Sequence, residues 1–73
     1  MSKILPDYYG ILKVPPNASP EAIKTGYRRL MVTLKMHPDL GGGHELAAQI
    51  NEAYAVLGDK TKRVAYARMY LLQ

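Results

Sequence analysis

Side chains able to do chemistry concentrate in one short segment, KMHPDLGGGHE at residues 35–45. His37, Asp39 and His44 fall within eight residues there. Imidazole and carboxylate are both metal ligands, and both serve acid–base chemistry. A metal centre is nonetheless disfavoured, because three glycines leave the second imidazole poorly held and no fourth donor accompanies the set. A hydrolytic triad fails for want of a nucleophile: there is no cysteine, and the serines, Ser2 and Ser19, lie far off in sequence. A phosphate-binding loop fails as well. LGDKT at residues 57–61 would need a glycine where Ala53 stands, and GGG is not followed by lysine. No catalytic residue, metal or cofactor is expected, and the chain is not read as an enzyme.

Each member of the triplet His37, Pro38, Asp39 has a local explanation. Pro38 drives His37 out of the α region and ends a helix. A histidine at a helix C-terminus is favoured by the dipole when protonated, and aspartate after proline is ordinary turn chemistry. Taken singly, each is structural. Together, at the tip of a helical hairpin, they present an imidazole and a carboxylate on backbone stiffened by the proline ring. That stiffness limits the entropy lost when a partner binds.

The elements that must carry this tip are helices. Residues 19–36, SPEAIKTGYRRLMVTLKM, open with Ser19 as N-cap, Pro20 at the first helical position and Glu21 in the first turn. Ile23, Tyr27, Leu30 and Leu34 then fall within about 60° of one another, a core stripe. Residues 44–58 form the next helix, with Leu46, Ile50, Ala53, Tyr54 and Leu57 on its apolar face and Glu45, Gln49 and Glu52 opposite. Gly58 stops it as a C′ glycine, and Asp59 caps a last helix that starts at residue 60 within KTKRVAYARMYLLQ, with a weaker pattern that fixes no end. A short first helix is expected over residues 6–13, begun by Pro6 and stopped by VPPN. The connection HPDLGGG is short enough to make the middle two helices antiparallel neighbours.

Seventy-three residues bound this to one domain, without disulfide or thiolate–metal support. No run is long enough to span a bilayer, and MSKILPDYYG is too weak for a signal peptide. A cytoplasmic setting is expected. The net charge of +4 points to an anionic partner, whether nucleic acid, lipid headgroups or an acidic protein face. Lys24, Arg28 and Lys35 lie within about 40° of one another on the second helix, with Arg29 off that line. Such a stripe alone is an ordinary solvated face. A stripe that leads to a rigid polar tip is a better docking surface.

DYYGIL, EAIKTGYRRL, HPD, INEAYAVLGD and KRVAY occur in that order, and together they resemble the J-domain, the DnaJ-type co-chaperone module. The resemblance spans residues 7 to about 70, so residues 1–73 are read as a single J-domain with its core at 7–70. It implies an all-α fold of four helices, the second and third forming a long antiparallel hairpin with HPD at its tip. It also implies binding to a DnaK-type seventy-kilodalton heat-shock chaperone and stimulation of that partner's ATP hydrolysis. The docking residues so implied are His37, Pro38 and Asp39 at the tip, with Lys24, Arg28 and Arg29 on the basic face. Lys35 is added because it can replace a displaced neighbour.

Three departures from the usual module stand out. Ten positions separate Tyr27 from His37, where eight are usual, so Met31 and Val32 look inserted. Two residues turn a helix by about 200° and lengthen it by about 3 Å, which redirects the tip unless a bulge absorbs them. LGGG replaces a polar, basic sequel to HPD, Lys13 stands where glycine is usual, and Ala67 where aspartate is common. The fold is expected to survive all of these.

The chain offers no client-binding segment, which suits a module of a larger protein or a short relative of one. It is expected to be monomeric, with no small-molecule substrate and neither nucleic acid nor membrane as partner. The competing readings are a small basic helical nucleic-acid binder, with Lys24, Arg28 and Arg29 on phosphates, and an adaptor that docks without stimulating.

Overall fold

The computed structural model describes residues 5–36 and 43–72. His37, Pro38 and Asp39 lie outside the described residues. The described residues form four helices: α1 (Tyr8–Leu12), α2 (Pro20–Met36), α3 (Gly43–Leu57) and α4 (Lys60–Leu72). The architecture is all-α, as the sequence signals predict.

The local start signals act as expected. The Ser19 hydroxyl accepts the Ala22 amide at 3.1 Å, opening α2 with Pro20 in its first turn. Asp59 Oδ1 accepts the Thr61 and Lys62 amides at 2.9 and 3.3 Å, opening α4. The first helix is shorter than predicted. Asp7, rather than the Pro6 region, caps it by accepting the Gly10 amide at 3.1 Å. Its other end is closed by Lys13 in the left-handed conformation, φ 56° and ψ 45°. This accounts for glycine being usual there: a side chain in that region strains against the following carbonyl.

Gly58 ends α3 for a different reason from the one predicted. Its φ is not left-handed. Its amide donates to the Tyr54 carbonyl at 2.7 Å, and a Cβ would stand 2.6 Å from that same oxygen. Close approach, not helix-ending conformation, selects glycine here.

The helix α3 is the axis of the domain, packing against α1, α2 and α4, while α1 also touches α2. Tyr27 of α2 meets Asn51 and Tyr54 of α3, so the two long helices run antiparallel on either side of their connection. Leu12, Ile23, Ile50 and Ala53 are wholly buried and Tyr9, Ala18, Leu57 and Tyr66 nearly so. Burying an Ile or Leu side chain stabilises by about 1.5–3 kcal/mol, so this small set carries much of the fold. Gly26 lets α1 and α2 close up, since a Cβ there would lie 2.8 Å from the Leu12 carbonyl oxygen.

Burial fades along the hairpin. Ile23 is sealed, Tyr27, Leu30 and Leu34 are half-buried, and Leu46, predicted on the apolar face of α3, is 36 % exposed. The cause is coverage: the short α1 and the C-terminal α4 clothe only the base. The two long helices cover only each other further out.

Candidate protein-docking surface

The base of the hairpin is held by tyrosine chemistry. The Tyr66 hydroxyl donates to the Pro6 carbonyl and accepts the Tyr8 amide at 3.1 Å, tying α4 to the start of α1. The Tyr8 hydroxyl donates to Glu52 Oε2 on α3. That carboxylate, then burial, pushes the Tyr8 hydroxyl up to about 12. Burial raises Tyr66 likewise. The rings of Tyr9 and Tyr70 meet edge to face, centroids 5.1 Å apart. Arg63 of α4 donates to the Ala18 and Pro16 carbonyls before α2, while its guanidinium carbon stands 6.0 Å from the centre of the Tyr9 ring. Sequence reasoning did not find Arg63, Tyr8 or Glu52, because their partners lie on other elements.

On this base α2 runs without interruption from Pro20 to Met36. No bulge interrupts the helix at Met31 and Val32, which add their full share of length and rotation to it. A local bond accompanies them: the Thr33 hydroxyl donates to the Arg29 carbonyl at 2.9 Å. Lys24, Arg28 and Lys35 therefore stay on one line of the helix, as their spacing predicts.

All four predicted cations, Lys24, Arg28, Arg29 and Lys35, are exposed. None of their side chains bonds or ion-pairs with another described residue. Lys35 also lies in the last turn of α2, where the helix dipole favours a cation. Arg29 stands apart, bordering a shallow hollow of about 420 Å³ between the end of α1 and α2, near Lys13 and Glu21. Val32 and Met36 are 55 % and 70 % exposed, an apolar pair the sequence reading passed over. Their spacing from Arg28 by four and eight residues, off the core stripe, was the available signal.

Of the three groups considered for metal, His44 is exposed at the start of α3, and His37 and Asp39 lie outside the described residues. Among the described residues no His, Asp or Glu cluster could hold an ion. Among them, too, no helix is long and apolar enough to cross a membrane.

The hairpin thus carries exposed cations on its outer face, without a bonded partner among the described residues, and rises from a hydrogen-bonded base. Residues 7–67 match the DnaJ domain, and the chain belongs to that family. It is 51 % identical over 63 residues to a chaperone protein DnaJ of Dictyoglomus thermophilum, covering 82 % of this chain and 16 % of that protein. A DnaJ protein of Arabidopsis thaliana is 51 % identical over 63 residues, covering 81 % of this chain and 18 % of that one. A chaperone protein DnaJ of Methanosarcina thermophila is 49 % identical over 65 residues, covering 85 % and 16 %. The chain thus spans about a sixth of the length of these relatives. The matched segment includes α1, α2, α3, more than half of α4, and all seven residues assigned to docking from the sequence.

Proposed function

We propose that this domain is a co-chaperone module that docks on a DnaK-type seventy-kilodalton heat-shock chaperone and stimulates its ATP hydrolysis. One observation carries the reading: a DnaJ-domain chain with the sequence HPD between its two long helices. The uncommitted cations on α2 support it. The unit is taken as residues 7 to about 70, acting as a monomer in the cytoplasm, without small molecule, nucleic acid or membrane as partner.

The domain contributes no catalytic group. It acts by binding the hydrolysis-competent arrangement of the chaperone better than the resting one, since equal affinity for both would shift nothing. Lys24, Arg28, Arg29 and Lys35 steer encounter with an acidic surface. His37, Pro38 and Asp39 read the junction between ATPase and substrate domains. There the Asp39 carboxylate makes charge-assisted hydrogen bonds to an arginine or backbone N–H groups, each about twice as strong as a neutral one.

Single-turnover ATP hydrolysis by purified bacterial DnaK tests this. The parent chain is expected to accelerate it, and His37→Gln or Asp39→Asn to abolish the acceleration with helicity intact. Stimulation by both variants at the parent level would refute the reading.

A further inference from the structure

We infer that Val32 and Met36 form the apolar centre of the docking face, and that the partner offers it an apolar patch rimmed by carboxylates. The inference rests on the co-chaperone reading and deepens it. Arg28, Val32 and Met36 succeed one another at four-residue steps, each turned about 40° from the last. Lys35, two turns beyond Arg28, shares one flank of the pair with it, and Arg29 lies on the other. An apolar pair is thus bracketed by cations, the arrangement of a buried interface core within a polar rim.

Packing does not account for the pair, and helix formation does not account for Val32. Valine is a poor helix former, and a charged or amide side chain would serve an exposed site at least as well. The core side of α2 is already supplied by Ile23, Tyr27, Leu30 and Leu34, which pack in or against the core. Val32 and Met36 stay more than half exposed. One exposed apolar residue is unremarkable, but two adjacent ones inside a cationic frame form a patch.

The frame also selects the occupant. A second copy of this chain, itself at +4, would bring cations against cations. A membrane-surface helix inserts a whole apolar face, and α2 has already spent that face on α3. Phosphates would satisfy the cations and leave the ridge in water. An acidic protein surface with an apolar middle satisfies both. Glu21, the acidic residue on α2, lies at the far end of the helix, about four turns from Met36 and three from Val32.

The experiment compares the parent chain with Val32→Gln/Met36→Gln, the conservative Val32→Ile/Met36→Leu and Arg28→Ala, helicity being checked by circular dichroism. Binding to ATP-bound DnaK is followed at low and moderate salt. The glutamine pair is expected to weaken binding roughly tenfold at both salts, mainly through faster dissociation, because apolar contact is little screened. The aliphatic pair is expected to bind like the parent. Arg28→Ala should slow association, and do so mainly at low salt. Binding of the glutamine pair within twofold of the parent, while Asp39→Asn still abolishes stimulation, would overturn this inference and leave the co-chaperone reading standing. Failure of the parent itself to bind or stimulate would remove both. Loss confined to anionic vesicles of phosphatidylglycerol or to self-association would also overturn it.

Discussion

The ring of Tyr27 lies nearly flat on that of Tyr54, centroids 4.2 Å apart and planes 14° from parallel, while its hydroxyl donates to Asn51 Oδ1 at 2.9 Å. This is the one place where the two arms of the hairpin are joined by both stacking and a side-chain hydrogen bond among the described residues. It sits one residue before Arg28 and Arg29, so it also fixes how those cations face outward. Tyr27→Phe keeps the stack and loses an exposed hydrogen bond, about 0.5–1 kcal/mol. Tyr27→Ala loses both and is expected to destabilise by about 2–3 kcal/mol. Urea unfolding midpoints measure the difference.

At Lys13 the backbone is left-handed, and the strain is local. Lys13→Gly is expected to stabilise by about 1 kcal/mol, once glycine's extra freedom in the unfolded chain offsets part of the relief. A neutral or lower melting temperature would show that the Lys13 side chain makes a compensating contact.

Gly26 gives the opposite result. A methyl there meets a backbone oxygen at 2.8 Å and Val14 Cγ1 at 2.9 Å, so α1 and α2 must part. Gly26→Ala gains helix propensity of about 1 kcal/mol and still is expected to destabilise by about 1–2 kcal/mol, because backbone cannot yield as a flexible side chain does. Thermal unfolding would decide, and stabilisation would contradict the close approach.

The Tyr8 bond to Glu52 predicts an alkaline transition. Tyr8 ionises at 10.0 when unfolded and at about 12 when folded, raised first by the Glu52 hydrogen bond. A phenol with a raised folded value stabilises fully below the unfolded value and loses that contribution as pH climbs through the folded one. Tyr66 is shifted in the same direction. The melting-temperature advantage of the parent over Tyr8→Phe is therefore expected at neutral pH and to close between pH 10 and pH 12. A gap independent of pH would show that the bond is not what raises Tyr8.

Removing Met31 and Val32 shortens α2 by about 3 Å and turns everything beyond by about 200°. Lys35 then leaves the line of Lys24 and Arg28. Stimulation of DnaK is expected to fall although the helices persist. Unchanged or improved stimulation would show that the extra half-turn has no part in docking.

Much of this fold was legible along the chain. Ser19 and Asp59 cap their helices through amides two or three residues away, and the stripe of Ile23, Tyr27, Leu30 and Leu34 is a matter of helical period. The line of Lys24, Arg28 and Lys35 follows from the same arithmetic once α2 is continuous. Such signals need only neighbours in sequence, and the family resemblance was carried by those same short stretches.

Tertiary structure decided what each face meets. Leu46 has the right period for a core and is left partly open, because α1 and α4 cover only the base of the hairpin. Glu52 reads as a solvent-facing acid, yet it holds the Tyr8 hydroxyl, and Arg63 reads as a surface cation, yet it clasps the carbonyls before α2. Gly58 is small because a carbonyl lies against it, a fact no spacing rule contains. Local hydrogen bonds and periodicity are written in consecutive residues. Coverage arises only when distant segments are brought together, and here it is the uncovered cations and apolar pair of α2 that became available to a partner.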